Sequence, residues 1–356
     1  MSKLKIALLS SWGIRCGLAS YSEDLARAWM YRGHEIQLFC ERSLDGMTED
    51  PADLPPPERY FLRTMHQAEE LVAPILEWGP DLVSIEHEFG VWPNDAEFIK
   101  AIGLLRLYTK TIVTLHTVPR WPFRRWFFSK LEGPVVVHHP GALVALRSWV
   151  RSDWCKPYYL PHGIAPYAPL PVRCSDRSPL ALMPGFISAS KGHIDVIDGI
   201  NHSDGWEIEI IGDAPNGEYL DYILDRITYL GVSQRVKVVP QFLERRALRE
   251  KMASAQVVIL NTTSDNYSAS GQAADCISVG AMTVSRALPI YDALYGLGFK
   301  FGVGRDGPPA DELGRTVMTA AASVHNKEQV EAMKAMCAAR SWDRMAKERL
   351  RIVGLA

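Results

Sequence analysis

The strongest constraint on this chain is an alternation of short apolar runs with amphipathic stretches, which is interrupted by prolines and then begins again. Residues 5–10, 35–40, 81–85, 111–115, 135–138 and 158–160 are apolar runs of strand length, with helical periodicity in 21–32, 68–78 and 97–108. In the first of these helices Leu25, Ala28 and Trp29 share one face, and Gly33 marks the stop. A second series follows the proline-rich stretch 161–179, with strands at 180–183, 207–211, 235–239, 256–260 and 282–285 and helices at 193–199, 218–230, 246–254 and 271–279. Strands that alternate with helices pair in parallel and are covered on both faces. The expectation is an α/β protein of two doubly wound, Rossmann-like domains, which bind ligands at the carboxyl ends of their strands.

The 356 residues suit two domains. With 47% hydrophobic and 22% charged residues the composition is that of a globular chain, not a disordered one. A net charge of −2 excludes a globally basic nucleic-acid binder but leaves room for a local basic patch. The 6 cysteines form no C-x-x-C pair and no cluster with histidine, so reduced thiols and no metal site are expected. The apolar run around residues 6–9 is too short for a signal-peptide core. No stretch approaches the roughly 18 apolar residues of a membrane span, so a cytoplasmic protein is expected.

Four turns carry the candidate chemistry. After the first strand, SSWGIRCGLASY (10–21) holds Gly13 and Gly17 for a sharp turn, Arg15, and Ser20 spaced three residues before Glu23 as a capping box. The helix start would offer amides to an anion, but the spacing is not the G-x-G-x-x-G of a nicotinamide site, and a plain strand–helix turn is the alternative. GFISASKG (185–192) places Lys191 where an ammonium can hold a phosphate, a solvated lysine being the plainer reading. IIGDAPNGEY (210–219) is a strand, a glycine turn and a helix start, with Asp213 either near a nucleotide or capping the turn. In LNTTSDNYSASGQAADCISVGAMTVSR (260–286) a small polar loop enters a helix near Ser270 or Gly271. Amides from Ser268 to Gly271 can face a diphosphate there. Asp275 can accept two ribose hydroxyls or complement the helix dipole.

In order, CGLASYSEDLARAWMYRGHEI, SIEHEFG, TLHTVP, YLPHGI, GFISASKG and DCISVGAMTVSR resemble glycosyltransferase family 4, enzymes of GT-B fold that use nucleotide sugars. The resemblance spans residues 4–290, and SWDRMAKERL (341–350) is similar to the family's closing helix. It implies an N-terminal acceptor domain (1–165), a nucleotide-sugar domain (166–335), a last helix (336–356) returning to the first domain, and an active cleft between the halves. It further implies that Gly17 approaches the donor, that His87 and Glu88 lie near the acceptor, and that His116 reaches the transferred sugar. Lys191 would bind the donor phosphates and Asp275, the second acid of an E-x(7)-E motif, the ribose. The implied reaction retains anomeric configuration, needs no metal and no tightly bound cofactor, and draws on a UDP- or GDP-sugar. A buried strand-end histidine is the plainer reading of His116.

The pattern departs from the family in two places. Phe186 stands where an arginine often precedes the lysine, so Arg15 or another arginine would have to compensate. The first acid of the motif falls on Tyr267, and Asp265 or Asn266 could serve only in a reshaped loop, which bears on the sugar transferred. The acceptor is read from PRWPFRRWFFSK (119–130), which carries a local charge of about +4 through Arg120, Arg124, Arg125 and Lys130, with Trp121 and Trp126 among its aromatics. This segment could lie at a membrane surface and read a lipid-linked saccharide, grip nucleic acid, or bury its aromatics with its arginines in solvent. A glycan or lipid-linked saccharide is the expected acceptor, with a hydroxylated base in DNA as the alternative. A sugar-nucleotide epimerase, a phosphorylase or an inactive carbohydrate-binding relative are further alternatives.

Overall fold

The computed structural model describes residues 2–41, 51–60, 67–119, 124–151, 153–169, 180–201, 205–264, 266–302 and 310–356. Strands β1 (Lys5–Ser10), β2 (Glu35–Glu41), β3 (Glu58–Tyr60), β4 (Leu82–His87), β5 (Lys110–Leu115), β6 (Gly133–Val137) and β7 (Cys155–Tyr159) form a parallel 7-stranded sheet in the order β3-β2-β1-β4-β5-β6-β7. Strands β8 (Leu180–Pro184), β9 (Glu207–Ile211), β10 (Val236–Val239), β11 (Val257–Leu260), β12 (Thr283–Arg286) and β13 (Phe299–Phe301) form a parallel 6-stranded sheet in the order β10-β9-β8-β11-β12-β13. The helices are α1 (Gly17–Tyr31), α2 (Glu69–Trp78), α3 (Asp95–Tyr108), α4 (Arg125–Lys130), α5 (Pro140–Trp149), α6 (His193–Asn201), α7 (Gly217–Tyr229), α8 (Arg245–Ser254), α9 (Gly271–Val279), α10 (Ala310–Ala321), α11 (Lys327–Ala339) and α12 (Trp342–Ile352). Two compact units result. Unit 1 comprises Met1–Gly163, Asn266–Ala269 and Arg340–Ala356, and unit 2 comprises Ile164–Asp265 and Ser270–Ala339.

Each sheet is covered on both faces, as continuous apolar strands require. In unit 1, Ala7 and Leu9 pack with residues of α2, α3, α4 and α5, while Ile6 and Leu8 pack on the opposite face with α1 and α12. The Trp29 indole donates to the Ala346 carbonyl at 3.2 Å, and Arg32 pairs with Asp343 at 2.7 Å, joining α1 to α12. In unit 2, Leu182, Val258 and Leu260 face α8, α9 and α11, and Met183, Ile210 and Ile259 face α6, α7 and α10.

The first turn differs from its expected form. The helix begins at Gly17, and Cys16 is its cap, with its thiol accepting from the Leu18 amide at 3.4 Å. Ser20 already donates its amide to the Cys16 carbonyl, so it is a helical residue and the Ser20–Glu23 capping box does not form. Glu23 instead pairs with Arg27 one turn on. Helix α7 is capped by Asn216, which accepts from the Tyr219 amide at 3.1 Å. The sequence reading also lacked β3, β13, α4, α5, α10 and α11.

Candidate active site

In both sheets the strand order reverses beside the first strand, between β1 and β4 in unit 1 and between β8 and β11 in unit 2. Loops leaving neighbouring strands there diverge to opposite faces and open a crevice at their carboxyl ends. The candidate residues gather on these loops.

In unit 1 the buried polar centre beneath these loops is Glu86, a neighbour of the expected His87 and Glu88. Strand residues alternate faces, so Ser84 and Glu86 point one way and His87 the other. Glu86 Oε1 accepts from Arg349 Nη1 at 2.7 Å and from Ser84 Oγ at 3.2 Å, and Oε2 lies 3.0 Å from His116 Nε2. Arg349, on α12, also donates from Nη2 to the Tyr21 hydroxyl at 2.5 Å. Glu86 and Arg349 are fully buried. Burial alone would raise the Glu86 carboxyl, but the Arg349 charge and the His116 hydrogen bond outweigh it and bring it down to about 2. An ionised carboxylate only accepts, so His116 carries its proton on Nε2. The His116 backbone is held as well, by the His87 carbonyl and by the Ser268 amide.

His87 is not available for acceptor chemistry. Its ring is buried against Phe89, Phe98 and Phe127, and neither ring nitrogen has a hydrogen-bond partner among the described residues. Burial is the chief cause lowering its pKa to about 3, with the Arg124 charge adding to it, so it is a neutral core residue. Glu88 remains half-buried at the crevice, accepting from Thr117 Oγ1 at 2.5 Å and from the Phe89 amide at 3.1 Å. Gly17 opens α1, and a side chain there would meet nothing within 4 Å, so its backbone is approachable. Arg15 is exposed on the same turn.

The segment Asn266–Ala269 belongs to unit 1. Tyr267 bridges Thr117 in antiparallel fashion, Val118 donates to the Asn266 carbonyl at 2.8 Å, and the Ser268 hydroxyl donates to the Leu115 carbonyl at 2.7 Å. Ser268 is therefore buried with its amide and hydroxyl both used, and it cannot present that amide to a diphosphate. Tyr267 keeps an exposed side chain.

In unit 2 the loop after β8 carries Lys191. Gly192 ends its turn at φ 64°, and a Cβ there would lie 2.6 Å from Asn261 Nδ2, so only glycine fits. Asn261 Nδ2 donates to the Gly192 carbonyl at 2.8 Å, and Thr262 Oγ1 and the Thr263 amide donate to that of Ser190, at 2.9 and 2.8 Å. Lys191 is half-buried, and burial is the one cause lowering its pKa. Among the described residues its ammonium has no carboxylate partner. Behind it, Gly212 comes so near Gly185 that a Cβ would lie 1.9 Å from the Gly185 carbonyl oxygen. Asp213 is half-buried beside this contact, its carbonyl accepting from the Ile187 amide at 2.8 Å.

Helix α9 begins as expected. Ser270 caps it by accepting from the Ala273 amide at 3.2 Å, and the Gly271 and Gln272 amides of the first turn have no acceptor within the helix. Asp275 is buried one turn on, where Arg245 Nη2 reaches it at 3.1 Å and Arg249 Nε at 2.8 Å.

The basic aromatic segment is divided by the fold. Phe127 and Phe128 are buried, whereas Arg125, Trp126 and Lys130 are exposed. Arg124 is tied to Asp95 at 2.5 Å and lies over the Phe89 ring, so it is a structural cap of α4 and not an open acceptor contact. Arg120, Trp121 and Asp265 lie outside the described residues.

Residues 16–166 match the family model described as Glycosyltransferase Family 4. Over this stretch the chain is similar to glycosyltransferase family 4. Its structure is similar to sucrose-phosphate synthase from Thermosynechococcus elongatus, at TM-score 0.74 and 16% identity over 98% of each chain. It is also similar to Anabaena HepE in complex with UDP and glucose, at TM-score 0.72 and 16% identity over 99% of this chain and 100% of that one. A glycosyltransferase from Rickettsia africae matches at TM-score 0.73 and 12% identity over 99% of this chain and 98% of the other. These likenesses give the fold, which is GT-B.

Sequence reasoning missed Tyr21, Glu86, Arg349, Arg245 and Arg249. The spacing of Ser84 and Glu86 on one face of a strand that also carries Leu82, Val83 and Ile85 was the available signal for a buried polar centre. Nothing in the sequence tied it to Arg349. No helix of the described residues is long and apolar enough to cross a membrane.

Proposed function

We propose that the protein is a retaining, metal-independent glycosyltransferase that moves a sugar from a UDP- or GDP-sugar to a hydroxyl of a glycan or lipid-linked saccharide. The observation that carries this reading is Lys191, a half-buried ammonium on the switch-point loop of unit 2 whose charge no described residue neutralises. A diphosphate would supply the missing counter-charge. The first-turn amides of α9 add to the same preference for an anion. The complexes of HepE with UDP and with UDP-glucose favour UDP as the nucleotide.

Breaking the bond between the anomeric carbon and the phosphate oxygen leaves negative charge on the diphosphate and positive charge on the sugar ring. Lys191 stabilises the first as it grows. The departing phosphate oxygen takes the proton of the incoming hydroxyl, so the new glycosidic bond forms on the face the phosphate leaves and configuration is retained. His116 orients the sugar and does not attack it. Asp275 meets the ribose with whatever acceptor capacity its two arginines leave. Arg125, Trp126 and Lys130 form the exposed surface for the acceptor.

A thermal-shift screen of nucleotides tests the donor, and mass spectrometry of products with glycan, lipid-linked and hydroxymethylated DNA acceptors tests the rest. A UDP- or GDP-dependent rise in melting temperature that disappears in Lys191→Ala is expected. No shift with any nucleotide would overturn the reading. Transfer to DNA, with binding that weakens steeply with salt, would replace the saccharide acceptor by the DNA alternative.

A further inference from the structure

We infer that Glu86, clamped by Arg349 of α12, is a positioning residue that holds His116 in its Nε2–H tautomer so that Nδ1 accepts a hydrogen bond from a hydroxyl of the transferred sugar. The inference rests on the proposal that His116 meets that sugar, and it adds which atom does so and what prepares it.

The geometry runs outward from the buried end. Arg349 fixes the carboxylate by donating to Oε1 at 2.7 Å, and its second nitrogen stands 3.4 Å from Oε2. Ser84 takes part of the remaining capacity of Oε1. Oε2 is left to receive His116 Nε2, at 3.0 Å. The imidazole is boxed by the Tyr21 ring, edge-on at 4.7 Å between centroids, and by the His138 ring at 5.2 Å. With the ring plane held by these contacts and one nitrogen committed, the other nitrogen is determined. Nδ1 has no partner among the described residues, and the His116 side chain retains 16% exposure. A neutral imidazole protonated on Nε2 presents a lone pair at Nδ1, which suits a hydroxyl donor. The opposite tautomer would set two acceptors, Glu86 Oε2 and Nε2, against each other at 3.0 Å.

Nitrogen-15 NMR of the wild-type protein reads the tautomer directly, with Nε2–H and unprotonated Nδ1 expected for the neutral ring. An Nδ1–H tautomer would overturn the inference whether or not any variant folds. To separate positioning from scaffolding, the ion pair is replaced as a unit in Glu86→Leu/Arg349→Met, since a buried pair exchanged for apolar groups of similar volume is tolerated far better than a broken one. The folded double variant is expected to show mixed His116 tautomers and a turnover number about 10- to 100-fold lower, with the donor KM little changed, as found for outer partners of functional histidines. In a His116→Ala background the same pair of substitutions should add no further loss. A folded double variant with full turnover would sink the positioning role. If His116→Ala itself turned over normally, the underlying sugar contact would be wrong instead.

Discussion

The polar centres of the two units are built in opposite ways. In unit 1, Glu86 is surrounded by Arg349, Ser84 and His116, and its charge is answered inside the chain. In unit 2, Lys191 sits half-buried on a loop clamped by Asn261, Thr262 and Thr263 with no counter-charge among the described residues, and Asp275 is outnumbered by Arg245 and Arg249. A centre that satisfies itself costs stability when either half is removed and serves by holding shape. A centre with unanswered charge gives up stability to remain ready for an anion. The contrast therefore separates residues proposed to prepare the site from residues proposed to hold the ligand.

Removing Arg349 attacks the closed centre. Arg349→Ala leaves Glu86 charged and buried without its partner, and a loss of about 3–5 kcal/mol is expected in denaturant unfolding. A loss near zero would mean that the centre is not closed. Lys191→Ala attacks the open one and should do the reverse. Melting temperature should hold or rise, because a buried unpaired charge is gone, while turnover falls roughly 10²–10³-fold for want of one donor to the leaving diphosphate. Joint loss of stability and activity would assign Lys191 to the scaffold.

Proton linkage sharpens the same contrast. Lys191 has its pKa lowered by burial, so between that value and the unfolded one the unfolded chain binds more protons, and its contribution to stability improves as pH rises through that window. A bound diphosphate favours the ammonium, so donor affinity should weaken as pH rises through the lowered pKa. Lys191→Arg should flatten that alkaline limb, which titration calorimetry across pH would read. Asp275→Ala stands between the two kinds of centre and should cost about 1–3 kcal/mol through the freed arginines as well as weakening nucleotide binding. If stability alone changed, the ribose contact would be excluded.

The smallest effect on turnover is expected at His87. Its folded pKa is about 3, well under the roughly 6.5 of an unfolded histidine, so it is stabilising when neutral and loses that contribution as pH falls from about 6.5 toward 3. His87→Phe should reduce the acid sensitivity of the melting temperature while turnover stays close to that of the parent. A large loss of turnover in a stable His87→Phe protein would restore a chemical role for this residue.

Most of the two sheets was legible because buried parallel strands are nearly uninterrupted apolar runs, and β1, β9 and α9 begin and end at the expected residues. Lys191 and Ser270 were legible for a related reason, since glycine turns and caps are local signals. The short helices α4 and α5 were not. One starts from Arg124 at a positive φ within an aromatic run, and the other is capped by a histidine, His139. The interior of unit 1 was misread at one residue's distance, because the His87–Glu88 pair drew the eye while strand alternation turned His87 into the phenylalanine cluster and Glu86 toward α12. Which face of β4 held a partner depended on a residue 263 positions away. Periodicity reports that a strand has two faces but not what waits on each.

Unit 1 is assembled from three separate stretches of chain, and the last of them carries the guanidinium that Glu86 requires. During synthesis on the ribosome, therefore, the first 163 residues emerge with a carboxylate they cannot safely enclose. That sheet has to wait for nearly all of the remaining polypeptide before its core can shut. All of unit 2 is made in that interval and is free to settle first, so the order of maturation is expected to run against the order of translation.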